Sequence, residues 1–266
     1  MTEGLDATVV FVRHGESTAI VEGRFQGHLD VPLSDTGRRQ AELVARRLAR
    51  PHDSPVLPVP NGPPLEIVHS PLARAAETAR AISAAAGTDP TFHTETRVRP
   101  EPGLIEIGQG GWEGLLADEV SAGWADVLST WRRSPLEAWA PGGESIPAVR
   151  DRVVPALDAL LDRLADGRTP GRIDRPQVLG GADPASNQPW AIVVAHDGVF
   201  KVALLTLLGL PLESFWTLPF ALCGITVVEL VGGRARLRAH NLTEHLAPLE
   251  AQAQAVSEER ERAGAL

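Results

Sequence analysis

Cysteine is nearly absent from this sequence, and this absence limits the cross-links and metal sites that the protein can contain. The 266 residues include one cysteine, Cys223, which lies in an apolar run. A disulfide framework and a thiolate metal site are therefore excluded, and we expect this thiol to pack in the core. No apolar run approaches the length that crosses a bilayer, so no membrane partner is expected.

Basic residues are also scarce relative to acidic ones. The chain has 25 Lys and Arg against 34 Asp and Glu, which gives a formal net charge of −9 at pH 7. Because such a surface repels a nucleic-acid backbone, no nucleic-acid partner is expected, and any anionic ligand should be small and locally bound. Residues 1–6 lack the basic segment and long apolar core of a secretion signal, which favours a cytoplasmic location.

The length and the composition suit one elaborated domain. Of the 266 residues, 43% are hydrophobic, which is enough for a large core. We predict a single domain over residues 1–266. Its parts are a core at about 7–245, a loop-rich cap at about 97–144, a flexible insertion at about 166–189 and a C-terminal tail at about 249–266.

Two apolar runs end in polar residues of the same kind. The mostly β-branched run at 9–12 is followed by Arg13 and His14, and the run at 190–195 is followed by His196. Such runs are typical of strands buried on both faces of a parallel sheet. Ligands of open α/β sheets bind at the carboxyl ends of the strands, so these side chains are expected to share one pocket.

A weaker strand pattern at residues 65–68 leads into a predicted helix. Ser70 suits the N-cap and Pro71 the first helical position, which places Arg74 in the first turns. The helix dipole and the free N–H groups there favour an anion. Two arginines and two histidines at one sheet edge therefore predict a pocket for a small anion such as phosphate, whose oxygens match guanidinium donors.

The remaining patterns complete the predicted fold. Apolar residues recur at helical spacing in three further segments, residues 35–49, 144–165 and 202–208. Pro155 implies a kink or a break in the second of these. Residues 225–231 and 234–239 predict a hairpin. The expected architecture is an α/β fold, a three-layer α/β/α sandwich with a mostly parallel central sheet and an antiparallel edge strand.

Six motifs occur in an order that points to one family. They are Arg13-His14-Gly15-Glu16, the loop 23–27 followed by Asp30-Val31-Pro32-Leu33, Ser70-Pro71-Leu72 with Arg74, Glu106 with Gly110-Gly111-Trp112-Glu113-Gly114, Pro141-Gly142-Gly143-Glu144-Ser145, and His196. In this order they resemble the phosphatase branch of the histidine phosphatase superfamily, the phosphoglycerate-mutase-like family, over residues 7 to about 240.

The resemblance implies a phosphohistidine mechanism. His14 would be the nucleophile, and Glu106 would protonate the leaving group and then act as base. The phosphoryl oxygens would be held by the other catalytic residues, Arg13, Arg74 and His196. The substrate-binding residues would be Arg24, Gly15, Ser17, Gln26, Gly27 and Gly198. No metal and no other cofactor is expected; the alternative, with the two histidines as metal ligands, is disfavoured because the neighbouring arginines repel a divalent cation.

Glu106 competes for the acid role with Glu101, Glu113 and Glu144. We prefer Glu106 because it precedes a glycine-rich loop that can fold over the pocket. The other histidines, among them His28, are interpreted as structural or surface residues, and the tryptophans as packing residues.

Two positions depart from the family pattern. Ile20 stands where members commonly have an asparagine, so one expected phosphate contact is missing. Asp197 follows His196 where a glycine is more common, and its carboxylate would repel a phosphate. We therefore expect Asp197 to point away or to form a local hydrogen bond.

Hydrolysis is the expected reaction, and a cofactor-dependent phosphoglycerate mutase is an alternative. The mutases of the family carry a longer, water-excluding insertion before the Pro-Gly-Gly-Glu-Ser motif, whereas the span from Gly114 to Pro141 is short. Arg132 and Arg133 in that span offer a partner for a second anionic group. A sugar phosphate or a phosphoglycerate-like metabolite is thus the expected substrate. Because Ile20 removes one phosphate contact, a weakly active phospho-ligand-binding protein is a further alternative. A homodimer is a possible assembly.

Overall fold

A six-stranded sheet forms the centre of the protein. The structure is a computed structural model, and it describes residues 4–86, 96–167, 188–249 and 251–252. The strands are β1 (Ala7–Arg13), β2 (Glu66–His69), β3 (Arg97–Pro100), β4 (Trp190–Ala195), β5 (Ile225–Val231) and β6 (Arg234–Leu242). The helices are α1 (Thr18–Val21), α2 (Asp35–Ala49), α3 (Ala73–Ala86), α4 (Ala117–Gly123), α5 (Ala125–Arg133), α6 (Ile146–Asp166) and α7 (Asp197–Leu208). The predicted insertion at 166–189 and the tail at 249–266 lie mostly outside the described residues.

The strand order is β3-β2-β4-β1-β5-β6. β1, β4, β2 and β3 pair in parallel, whereas β5 pairs antiparallel with both β1 and β6. The mostly parallel sheet is therefore confirmed. The strand that runs against the others, β5, lies one place inside the edge because the predicted hairpin adds β6 beyond it.

Alternating residues of β1 enter two separate cores. Val9 and Phe11 pack on the face that α6 and α7 cover, and Val10 and Val12 pack on the face that α2 covers together with α3. All four side chains are at most 1% exposed. The alternation explains why the run is apolar throughout, and it confirms the three-layer sandwich. Cys223 is buried in the second core, as predicted.

Two element boundaries differ from the predictions. α3 begins at Ala73, because Ser70 still donates its backbone N–H to the Val194 carbonyl at 2.9 Å and so continues the sheet. α6 starts at Ile146, with Ser145 as its N-cap, and continues through Pro155 as one helix of 21 residues. Of the two predicted alternatives at Pro155, a kink or a break, the break does not occur.

Residues 97–144 contain more regular structure than a loop-rich cap suggests. The short edge strand β3 went unpredicted because its exposed residues lack an apolar pattern. α4 and α5 surround a small core that includes Trp112, Val120 and Leu128. Trp112 is fully buried there, which agrees with a packing role. Within the described ranges, no helix combines the length and the apolar character that a membrane crossing needs.

Candidate active site

The parallel pairing of β1 with β4 brings two histidines together. The register aligns Arg13 with Ala195, the last residues of the two strands. The next residue after β1, His14, donates its backbone N–H to the Ala195 carbonyl at 2.9 Å. The rings of His14 and His196 consequently lie edge to face, with their centroids 4.9 Å apart.

His14 is held in one tautomer. Its Nδ1 lies 2.6 Å from the carbonyl oxygen of Gly15, which can only accept, so Nδ1 carries the hydrogen and Nε2 the lone pair. Burial, followed by the charges of Arg74 and Arg13, holds the pKa of His14 well below its ordinary value of 6.5. The ring is therefore neutral near pH 7. A side chain at Gly15 would place Cβ only 2.5 Å from the Gly37 carbonyl oxygen, which explains the glycine.

His196 is fully buried beside it. Its Nε2 lies 2.7 Å from the Ser70 hydroxyl oxygen. Burial lowers the pKa of His196 well below the ordinary value, and the neighbouring ring of His14 and the charge of Arg74 lower it further. The site therefore contains two neutral imidazoles next to permanent cations.

Backbone carbonyls anchor both arginines. Nη1 of Arg13 donates to the Phe220 carbonyl at 2.6 Å. Arg74, which is 1% exposed, donates from Nη1 to the Leu29 carbonyl at 2.8 Å and from Nη2 to the Gly27 carbonyl at 3.0 Å. Carbonyl oxygens orient the guanidinium groups without neutralising their charge.

Three nitrogens of this cluster are buried without a hydrogen-bond partner among the described residues. They are Nε of Arg13, Nε of Arg74 and Nδ1 of His196. Buried polar atoms are normally hydrogen-bonded, and an anion that accepted from these nitrogens would satisfy them. In the described part of the chain, no group of three or more His, Cys, Asp and Glu side chains is arranged to hold a metal ion.

Glu106 places its carboxyl group at the start of α7. Oε1 accepts from the Val199 N–H at 3.2 Å and from the Ile107 N–H at 2.9 Å, and the Gly198 N–H lies 3.4 Å from Oε2. Burial raises the pKa of Glu106, the Ile107 N–H lowers it, and the charge of Asp197 raises it further; the net direction is upward. A carboxyl group with a raised pKa suits a proton donor.

The competing carboxylates are engaged differently. Although burial opposes the change, hydrogen bonds from Arg152 and the Gly108 N–H bring the pKa of Glu144 below its ordinary value. Glu113 accepts from the backbone N–H groups of His28 and Gln109, each at 2.9 Å. Of these carboxyl groups, Glu106 therefore has the environment that fits an acid.

The predicted substrate-binding residues of the first loop lie in two places. Ser17 is the N-cap of α1, and its hydroxyl donates to Oε1 of Gln26 at 2.7 Å. Gly27 has a φ of +48°, and a Cβ there would lie 2.6 Å from the Gln109 nitrogen. Arg24 lies at the surface with its side chain 39% exposed, where it binds Glu22 and the Gly114 carbonyl.

Ser70, Thr78 and His28 contact the site without having been assigned to it. Thr78 Oγ1 accepts from the Gly15 N–H at 3.2 Å and donates to the Arg74 carbonyl at 2.9 Å. Its position one helical turn after Arg74 is a usable sequence signal. His28 donates from Nε2 to the Glu106 carbonyl at 2.8 Å. His28 and Glu106 are 78 positions apart, and no sequence pattern links them.

The two departures from the family pattern have different outcomes. Oδ2 of Asp197 accepts from Lys201 at 2.6 Å and Oδ1 accepts from the Phe220 N–H at 3.3 Å, so the expected local hydrogen bond is confirmed. Ile20 lies in α1, where its backbone N–H donates to the Ser17 hydroxyl at 3.3 Å. Its side chain has no polar atom to offer a phosphate.

The fold and the site together define a class of enzyme, one that transfers phosphoryl groups and uses a histidine as nucleophile. The family model described as histidine phosphatase superfamily (branch 1) matches residues 9–169 and 178–243. The chain belongs to this superfamily, which acts through a phosphohistidine. The resemblance seen in the motifs is confirmed.

Named relatives span nearly the whole chain. Phosphoserine phosphatase 1 of Hydrogenobacter thermophilus is 29% identical over 90% of this chain and 93% of its own length. A glucosyl-3-phosphoglycerate phosphatase of Mycolicibacterium vanbaalenii is 33% identical over 84% of each chain. The solved structure of a mycobacterial glucosyl-3-phosphoglycerate phosphatase in complex with VO3 superposes with a TM-score of 0.69 at 29% identity, covering 89% of this chain and 99% of that chain.

Proposed function

We propose that this protein is a phosphomonoesterase that cleaves a small phosphorylated metabolite in two steps, with His14 as the nucleophile. One observation carries the proposal. The bond from Nδ1 of His14 to the Gly15 carbonyl leaves Nε2 unprotonated, and the charges of Arg74 and Arg13 act on the same ring. A neutral nucleophile beside fixed cations is suited to attack a phosphate dianion.

In the first step, Nε2 of His14 forms a bond to phosphorus while the bond from phosphorus to the ester oxygen breaks. Glu106 donates its proton to that oxygen, and the alcohol leaves. Arg13, Arg74 and His196 bind the three non-bridging oxygens through the nitrogens that now lack partners. Their anchoring to carbonyls and to Ser70 means that little reorganisation is needed.

In the second step, water replaces the alcohol. Glu106, now ionised, takes a proton from the water. The water oxygen attacks phosphorus, and the bond between phosphorus and Nε2 of His14 breaks. Inorganic phosphate leaves, with His14 neutral and Glu106 protonated again.

The proposed substrate class rests on the relatives. Phosphoserine phosphatase 1 and the glucosyl-3-phosphoglycerate phosphatases are named for phosphate esters of small metabolites. Each of these esters has an aliphatic alcohol as its leaving group, and such an alcohol needs a proton as it leaves. In this chain Glu106 donates that proton. We propose an ester of this kind, with water as acceptor, for this chain.

A panel of phosphate esters tests the proposal, each assayed with and without 2,3-bisphosphoglycerate. We expect release of inorganic phosphate from at least one alkyl phosphate, and His14→Gln should lower kcat by about 10⁴-fold or more because the nucleophile is lost. The exposed His52, changed to Gln, is the matched control and should keep full activity. Full activity of His14→Gln would refute the proposal, and transfer that depends on bisphosphoglycerate would identify a mutase instead.

A further inference from the structure

Arg152 of α6 divides its guanidinium group between the segment that carries Glu106 and the carboxylate of Glu144. Its Nη1 donates to the carbonyls of Gly103 and Ile105 at 3.0 and 2.7 Å. Its Nη2 donates to the Glu106 carbonyl at 2.8 Å and to Oε2 of Glu144 at 2.8 Å, and its Nε donates to Oε1 of Glu144 at 2.9 Å. These bonds account for all five N–H donors of an arginine.

Glu144 holds the other side of the same segment. Its Oε2 accepts from the Gly108 N–H at 2.8 Å, and its own backbone N–H donates to the Gly108 carbonyl at 2.9 Å. Arg152 therefore binds the chain before Glu106, and Glu144 binds it after. The two side chains bind each other with N–O distances of 2.8 and 2.9 Å.

The segment needs such support because residues 106–109 form neither a helix nor a strand. Regular backbone hydrogen bonds do not fix the direction of the Glu106 side chain, so side-chain bonds to the backbone do so instead. The segment also packs closely on α6, since a Cβ at Gly103 would lie 2.6 Å from the Arg152 carbonyl oxygen.

We propose that Arg152 and Glu144 form a clamp that positions Glu106 for proton transfer to the leaving group. The inference rests on the proposed function, because it presumes that Glu106 is the acid. Arg152 is a positioning residue and not a phosphate ligand, since none of its donors is left for a phosphoryl oxygen. A misplaced carboxyl group would still be ionisable but would no longer reach the ester oxygen in the transition state.

Leaving-group dependence distinguishes positioning from general structural support. An alkyl phosphate needs an acid because its alkoxide is a poor leaving group, whereas p-nitrophenyl phosphate releases a stable phenolate without one. We expect Arg152→Lys, which replaces a forked donor by a single ammonium, to lower kcat/KM by about 10- to 100-fold on the alkyl phosphate. On p-nitrophenyl phosphate the change should stay within about threefold, because proton transfer contributes little there.

The matched control is Arg150→Lys, which changes an exposed arginine in the same helix and should leave both rates unchanged. Glu144→Gln, which keeps the shape of the side chain but not its charge, should show the same leaving-group dependence in weaker form. It also serves if Arg152→Lys does not fold. Equal losses on both substrates in the folded clamp variants would overturn the proposal.

Glu106→Gln separates this inference from the function on which it rests. If Glu106 is the acid, Glu106→Gln lowers kcat/KM, which reports the first step, far more on the alkyl phosphate than on the nitrophenyl ester. When that pattern appears for Glu106→Gln but not for the clamp variants, the clamp fails and the function stands. An equal fall in kcat/KM on the two substrates would contradict the acid role of Glu106, and with it the clamp.

Discussion

Gly198 shows how a single missing methyl group makes room for Glu106, the proposed acid. An alanine there would place its Cβ 2.6 Å from Cδ1 of Ile107 and 2.8 Å from Oε1 of Glu106. The Glu106 carboxyl group rests on the first turn of α7 only because that space is empty. Gly198 was predicted to bind substrate, and its contacts support a role in accommodating Glu106 as well.

Gly198→Ala should therefore reduce catalysis. Because the added methyl group displaces the carboxyl group of Glu106, the proposed acid, from the start of α7, we expect kcat/KM on an alkyl phosphate to fall by about 10- to 100-fold. Steady-state kinetics and circular dichroism at 25 °C measure the loss and confirm folding. Gly123→Ala is the control, since a Cβ there meets nothing within 4 Å. Equal activities of the two variants would contradict this account of Gly198.

Among the larger elements, β2 and α6 are joined by a largely buried ion pair, which lies at the end of the sheet opposite the two histidines. Nε of Arg163 donates to Oε1 of Glu66 at 2.7 Å, with side-chain exposures of 24% and 3%. Glu66 is the first residue of β2 and lies at the amino end of the strand, whereas the site lies at the carboxyl ends. The pair therefore bears on stability and not on chemistry.

Arg163→Met should destabilise the fold without changing the reaction. The substitution leaves the Glu66 carboxylate buried and unpaired, which costs about 3 kcal/mol of the free energy of unfolding. Urea denaturation measures that loss. At urea concentrations below the unfolding transition, kcat should match that of the wild type. Arg150→Met, on the exposed surface of the same helix, should change stability by less than about 0.5 kcal/mol. A loss no larger than in this control would show that the pair contributes little.

For the whole molecule, two buried neutral histidines make stability depend on pH. The pKa values of His14 and His196 are well below 6.5 in the folded protein, so the unfolded chain binds more protons as pH falls below about 6.5. Each histidine then reduces the free energy of unfolding by up to about 1.4 kcal/mol per pH unit, down to its folded pKa. Glu106 acts in the opposite sense, since its raised pKa gives stability that is lost as pH rises from its ordinary value of 4.5.

His14→Gln should flatten the acid side of the stability profile. Glutamine does not titrate, so the slope of the stability profile below about pH 6.5 should fall by up to about 1.4 kcal/mol per pH unit relative to the wild type. Urea unfolding at several pH values in phosphate-free buffer gives both slopes. His52→Gln replaces an exposed ring and should keep the wild-type slope. Identical slopes for His14→Gln and the wild type would mean that the His14 pKa is not lowered by folding.

Sequence reasoning worked best where structure follows from neighbouring residues. The apolar runs before His14 and His196 predicted β1 and β4, because burial on both faces leaves a continuous signature in the chain. It failed for β3, whose exposed residues carry no such signature.

The amino-acid order was sufficient to place the proposed nucleophile, His14, and its cations at one end of the sheet, since Arg13 and His14 stand at the end of β1 and Arg74 lies in the first turn of α3. Folding alone decided that the Gly15 carbonyl holds Nδ1 of His14, and that burial lowers the pKa of one group while raising that of another. It also decided that Arg152 reaches the Glu106 carbonyl across 46 positions of sequence. Contacts of that range depend on how helices pack against loops, and no local pattern of residues records them.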